Sequence, residues 1–552
     1  MNAPKDKRLD LEYLLQKDII NRFIPSLGKE PWLIVYAIND EEHDRFAIFS
    51  ALLELQAAKE ALGDSSWDLS IGDGLPGFSQ SWEGEEKIIT YHRFGKEGIR
   101  PLVILRDFHD AWPSYPELCE EFRHFHNLAE DHQHQILLDF DDSGYEVEVV
   151  RITEHQVEVN WRYLLQFLAA TQLHLAIYFD SVRYSKIPLD DVSEEDREHE
   201  HKDNRSRYSL HVVECDFNSN FHTYSRLLGK VIISPPPIEK CGKWPFDEKG
   251  EEPEVSFIID VDSDGRYIEF TSNPDKLSNY FGANPGAPHY LTPVYFRREV
   301  LQKYYAEPER YSVGDGYLRC LGLWGVRIDN DHPTHVVVFL GDLGRDLPYR
   351  ERLHWKQFNV PPPPDTGLSK TCFRRSFLAQ FAEPESVDLV FRYEYQKLNE
   401  AWHEWMGWPL FLEPRPEDEH ILSIHIPVTN SQRELDEQIL TLTKLLVDSL
   451  NEKELEKYLP KHEHGKNERG IRKFERFLEN EGFQERDVVI QFLRDLQTLR
   501  STGAAHRKGS NYQKALKRLG LVGKKRPEVM QALLAGAVNM LHSLIEFVEA
   551  KQ

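Results

Sequence analysis

ERDVVIQFLRDLQTLRSTGAAHRKGSNYQKALKRLG, residues 485–520, reads as two helices on either side of a run of small residues. Val489, Phe492, Leu493 and Leu496 recur at helical spacing and mark one apolar face. Gly503, beside Ser501 and Thr502, predicts a break there. The second helix is expected to start at Ser510, with Gln513 in capping-box spacing, and to stop at Gly520.

The neighbouring sequence has the same texture. SQRELDEQILTLTKLLVDSL (431–450) opens with Ser431 and Glu434 in capping-box spacing, and Leu435, Ile439, Leu442 and Leu446 form its stripe. IRKFERFLENEG (471–482) places Ile471, Phe474 and Leu478 together and ends at Gly482. The last helix enters at Pro527, and Val529, Leu533, Ala537, Leu541, Leu544 and Val548 line it. Four main helices and a short one predict an all-α bundle over residues 431–552.

Upstream, strands and helices mix. PWLIVYAI, RPLVILRDF, HQILLDF and LHLAIYF read as buried strands, WRYLLQFLAATQ as a helix, and SFIIDVDSDGRYIEF as a hairpin turning at Asp-Gly. PTHVVVFLGDL and VDLVFRYEY read as further strands. The expected fold is multidomain: mixed α/β (α+β) N-terminal and central regions plus the C-terminal bundle. Composition breaks suggest an α/β domain over 1–190, and an acidic insertion with strand segments and a Pro-rich linker over 191–253. An α+β domain over 254–360 and a Pro-rich connector over 361–430 follow. DDVSEEDREHEHKDNRS (190–206) is expected to be a solvated insertion, and VPPPPDTG (360–367) to be extended.

With 552 residues, 40% of them hydrophobic, the chain can bury several cores. No apolar run approaches a membrane span, and MNAPKDKRLDLEYLL lacks the apolar region of a signal peptide, so a cytoplasmic protein is expected. Its five cysteines are too scattered for a CxxC metal site and suit reduced thiols.

The net charge of −25 disfavours unspecific nucleic-acid binding over the whole surface. The charge is uneven, however. Residues 431–552 hold 22 Lys+Arg and 18 Asp+Glu, a balance of 22 − 18 = +4, so residues 1–430 carry −29. Arg500 to Arg526 contains nine basic residues and no acid, a candidate footprint for phosphate.

Within that stretch, Arg500 and His506 suit one chemistry. On an unbroken helix they would diverge, since six residues turn about 240°. Broken at Gly503, the chain can turn both into one pocket. An Arg grips a phosphate in bidentate fashion and offsets charge in its transition state. A His titrates near neutrality and can move a proton to or from a ribose 2′-OH or a leaving 5′-oxygen. Together they could cleave RNA with no metal and no cofactor, leaving a 2′,3′-cyclic phosphate.

A C-terminal helical bundle carrying Arg500–x5–His506 resembles the HEPN superfamily. The resemblance covers residues 431–552. It implies a homodimer with two Arg–His pairs across a cleft, an RNA substrate such as tRNA, and a toxin or antiviral-defence setting. In that setting a trigger or partner protein acts through the upstream region. Arg500 and His506 carry over as the catalytic pair. The family often has Asn, Asp or His directly after the Arg, where this chain has Ser501. Asp495, Arg507, Lys508, Asn511, Tyr512 and Lys514, with Ser501, are expected to contact RNA or support the pair, from proximity alone. The rival readings are a non-catalytic dimerisation or interaction module, and a metal-dependent DNA nuclease in the N-terminal region.

Four weaker signals favour ordinary structure. Gly72, Gly74 and Gly77 have GxGxxG spacing but no strand leads in, and Pro76 removes an N–H. Asp260, Asp262, Asp264 and Gly265 resemble a calcium loop, but Thr271 stands where its Glu belongs. Glu85 and Lys87, with Asp73 upstream, lack the apolar strand of a nuclease core. His124, His126, His132 and His134, like the pairs His199/His201 and His462/His464, read as surface histidines.

Overall fold

The computed structural model describes residues 7–41, 44–63, 76–93, 98–246, 253–332, 334–364, 367–378, 385–412, 421–459, 469–503 and 510–552. The chain forms two compact units, Met1–Asp141 with Tyr145–Gly250, and Asp142–Gly144 with Glu251–Gln552.

The first unit is built on one sheet. Its strands are β1 (Trp32–Glu41), β2 (Asp44–Leu53), β3 (Ile99–Pro101), β4 (Ala129–Asp131), β5 (Ile136–Phe140) and β6 (Glu146–Ile152). β7 (Gln156–Asn160), β8 (His174–Ser185), β9 (Glu198–Lys202), β10 (Ser206–Glu214) and β11 (Thr223–Ile233) complete it. The order is β9-β10-β11-β8-β2-β1-β7-β6-β5-β4, with β3 pairing the end of β2 that β1 leaves free. Every pairing is antiparallel. That corrects the α/β expectation for residues 1–190, because an α/β sheet is built on parallel strands joined by crossovers.

LHLAIYF reads as continuously apolar because β8 is covered on both faces. Leu175, Ile177 and Phe179 enter one core, and Ala176 and Tyr178 enter a smaller one on the other side. Helix α1 (Trp161–Thr171) closes the larger core with Leu164, Phe167 and Leu168; the Asn160 side chain accepts from Arg162 N at its start. The charged stretch 190–206 is no mere insertion. It supplies β9, an edge strand whose Glu and His side chains face solvent. A charged edge resists pairing with other chains, which explains why so polar a sequence can be a strand.

The second unit begins with the expected hairpin, β12 (Ser256–Val261) and β13 (Tyr267–Thr271), turning at Gly265 with φ +78°. β14 (Pro293–Arg297) lies between β18 (His335–Phe339) and β19 (Asn359–Val360). Strands β15 (Tyr311–Val313), β16 (Tyr317–Cys320) and β17 (Trp324–Arg327) form a meander. The core of this β-rich part holds Phe296, Tyr304 and Trp355. Buried Glu351 accepts from Tyr304 Oη at 2.6 Å and Lys303 Nζ at 2.5 Å.

After α2 (Lys370–Phe377) comes the largest departure from expectation. VDLVFRYEY is not a strand but the first half of a 20-residue helix, α3 (Val387–Met406). Its Phe391, Tyr395, Leu398 and Trp402 enter one core with the C-terminal helices. The bundle therefore starts at Val387, inside the stretch 361–430 expected to be a connector. Its other helices are α4 (Gln432–Thr443), α5 (Gly470–Asn480), α6 (Arg486–Gly503), α7 (Ser510–Arg518) and α8 (Arg526–Glu549). A π-helical turn, Lys444–Asp448, extends α4.

At the start of α4, Ser431 makes no side-chain cap. Glu434 instead turns back to accept from the N–H groups of Val428 (2.7 Å) and Thr429 (3.1 Å), upstream of a capping box. α8 is long and apolar enough to cross a membrane by length and composition, contrary to the sequence reading. Here Val529, Leu533, Ala537, Leu541, Leu544 and Val548 are buried in the bundle core as the stripe predicts.

Candidate active site

The break expected near Gly503 is where α6 ends. Arg500 stands on its last turn, one-third exposed. Its Nη1 donates to Asp448 Oδ2 on the π-helical turn, which brings a carboxylate from 52 residues away to the guanidinium. Asp448, itself partly exposed, holds the Arg head, and an incoming phosphate would share or displace it.

The basic stripe is anchored by a second pair. Asp495, on α6, is almost fully buried, and both its oxygens accept from Arg518 Nε, at 2.9 and 3.2 Å. Arg518 Nη2 donates to the same carboxylate. Arg518 is on the last turn of α7, so the pair ties the end of α7 back across α6.

Asp495 was expected to contact RNA or support the pair, and its carboxylate is bonded to Arg518. Tyr512 was expected to do so too, and it is buried at 3% exposure among the core residues; burial pushes its phenol up. They hold α7 in place. Ser501 is exposed, and its Oγ donates to Thr498 O at 3.2 Å, a local backbone bond that leaves the end of α6 intact. Asn511 and Lys514 are exposed on α7, as RNA-contacting residues must be. His506, Arg507 and Lys508 lie outside the described residues.

Asp448 went unnoticed in the sequence. Its basic neighbour at helical spacing is Lys444, four residues before it, and nothing in the sequence points to Arg500, 52 residues away.

The weaker signals resolve as follows. Gly77 opens an exposed hairpin, Gly77–Glu83 with Glu86–His92, which also carries Glu85 and Lys87; Gly72, Asp73 and Gly74 lie outside the described residues. Asp262 Oδ1 accepts from Asp264 N (2.9 Å) and Arg266 N (2.8 Å), the bonds of a turn. The four clustered histidines separate. His124, His132 and His134 reach solvent, but His126 is 3% exposed, with Nε2 3.0 Å from Tyr163 O. Burial, then Lys243, lowers its pKa to about 4. His462 and His464 lie outside the described residues. Among the described residues, no three His, Cys, Asp or Glu side chains converge as a metal ion would require.

No family model matches the chain, and neither a curated protein nor a solved structure matches it.

Proposed function

We propose that this chain is a metal-independent endoribonuclease of the HEPN type, with Arg500 and His506 as its catalytic pair. The observation that carries the reading is the placement of Arg500. Its guanidinium is held by Asp448 on the last helical turn before the residues that bear His506, Arg507 and Lys508. A fixed, partly exposed guanidinium at the end of a bundle helix is what phosphate gripping requires.

In the reaction the substrate's 2′-OH attacks phosphorus. The O2′–P bond forms as the P–O5′ bond breaks. His506 takes the 2′-hydroxyl proton or delivers one to the leaving 5′-oxygen, and Arg500 balances the charge on the non-bridging oxygens. The products are a 2′,3′-cyclic phosphate and a 5′-OH end. DNA, which lacks the 2′-OH, is left intact. The proposal extends to a homodimer through the bundle, a cytoplasmic toxin or defence role, and control by the upstream region.

The test uses the full chain with total RNA and with tRNA, in EDTA, beside Arg500→Ala and His506→Ala. Cleavage by wild type alone, with cyclic phosphate ends, is the expected result. Cleavage that both variants retain, or that EDTA abolishes, would remove the reading.

One observation favours the second reading, a non-catalytic interaction module: the Arg500 charge is already met by Asp448. On that reading Arg500 is a fastener between two helices. His506→Ala then leaves the protein's cellular effect and its oligomeric state unchanged.

A further inference from the structure

A cavity of about 440 Å³ opens within the second unit, between the β15–β17 meander and α2. Sites for small organic molecules span about 300–1,000 Å³, so the space exceeds what a lone ion needs. Tyr317 and Phe339 line it with aromatic surface, alongside Ile328, Val338 and Leu368.

Two neighbouring carboxylates in it differ in kind. Asp331 is fully employed: it accepts from Thr371 Oγ1 at 2.6 Å, Glu385 N at 3.0 Å and Ser386 N at 2.7 Å. Asp329 is 2% exposed, and its Oδ2 accepts from Ser369 N at 2.7 Å. Its Oδ1 accepts no hydrogen bond among the described residues. A buried oxygen left bare is costly, so a site that keeps one calls for an explanation. Burial also pushes the Asp329 carboxyl up, and the carboxylate in turn helps raise the Cys372 thiol beside it, whose pKa burial lifts to about 11. Raised in this way, the thiol is held in its neutral form beside Asp329.

The rest of the lining supplies the other end of a ligand. Arg375 is already paired with Asp315. Arg327 is exposed, and its guanidinium makes no side-chain hydrogen bond or ion pair among the described residues. The cavity thus offers an acceptor for an N–H deep inside, flat aromatic walls between, and a free guanidinium at the rim.

We propose that this cavity binds a nucleoside monophosphate, with a base N–H donating to Asp329 Oδ1 and the phosphate meeting Arg327. The site is separate from Arg500 and does not depend on the ribonuclease reading. A ligand held here would be a natural trigger or inhibitor for whatever the bundle does.

Calorimetry on the full chain tests this with AMP, GMP and CMP as probes. Adenosine and purine riboside 5′-monophosphate, whose base carries no N–H, are the controls. At least one of the three nucleotides should bind. Removing the phosphate or the base N–H should weaken binding tenfold or more. Asp329→Asn and Arg327→Ala should do the same, with melting of each variant checked; Arg327 is exposed, so its variant folds. No heat with any of the three nucleotides overturns the proposal. So does binding that both variants and both controls leave unchanged.

Discussion

Arg500 and Asp448 form a partly exposed pair, and such pairs contribute about 0.2–1 kcal/mol. Arg500→Lys should therefore leave the melting temperature almost unmoved. It should nevertheless lower RNA cleavage by about tenfold or more, because a point charge cannot replace a planar fork. A paired loss of stability and activity would instead make Arg500 a structural residue. His126 belongs to the same scale. Its pKa falls from 6.5 to about 4 on folding, so the folded chain holds it neutral. The stability it contributes is complete above pH 6.5 and is lost as pH falls toward 4, a change of about 3 kcal/mol at 1.36 kcal/mol per unit. Urea unfolding of the wild type should lose that much more between pH 7 and pH 4 than His126→Phe does. Equal slopes would show that His126 does not titrate in this window.

At the scale of elements, fit is decided by single contacts. Gly229 on β11 faces Phe179 on β8, and a Cβ there would stand 1.9 Å from the ring. Gly229→Ala should cost about 1–3 kcal/mol of stability in the first unit by overpacking, read in chemical denaturation. Arg518→Ala leaves the buried Asp495 without its partner and should lower the melting temperature, loosening α7. The sequence made most of these elements legible because their periodicity was long. The stripes of α4 and α8 and the doubly apolar run of β8 each extend over several turns or strand residues. α3 was misread because VDLVFRYEY is rich in β-branched and aromatic residues and only nine residues long. The 3.6 period becomes visible at Leu398 and Trp402, beyond that window. Local propensity then lost to packing against α8. Of the candidate site, the Arg was legible and its partner was not. Asp448 is 52 residues away, and only the folded bundle brings the two together. Tyr512 and Asp495 were placed by sequence proximity, which says nothing about which way a helical side chain points.

For the whole molecule, the boundaries set what can be cut. The second unit runs from Glu251, and its bundle needs α3. Buried Arg392 on α3 donates to Val313 O at 2.6 Å and Ile424 O at 2.6 Å, tying the bundle to the β-rich part of the same unit. A fragment of residues 431–552 should therefore show little cooperative unfolding. Residues 251–552 should unfold in one transition, as followed by circular dichroism. A sharp transition in the shorter fragment would show that α3 is dispensable. If the acidic first unit restrains a ribonuclease, 251–552 is also the fragment in which cleavage should rise.

The pairing of α3 with α8 has a consequence for the order of events at the ribosome. More than a hundred residues separate the two helices, and α8 is made after the other helices of the bundle. Domains fold as synthesis proceeds, and contacts distant in sequence form late. Trp402 of α3 can pack on Phe474 and Phe477 earlier, but the part of α3 that faces α8 must wait, uncovered, until α8 has been made. A chain stalled before Arg526 lacks the helix that completes the core around α3 and α6, so its bundle is left open.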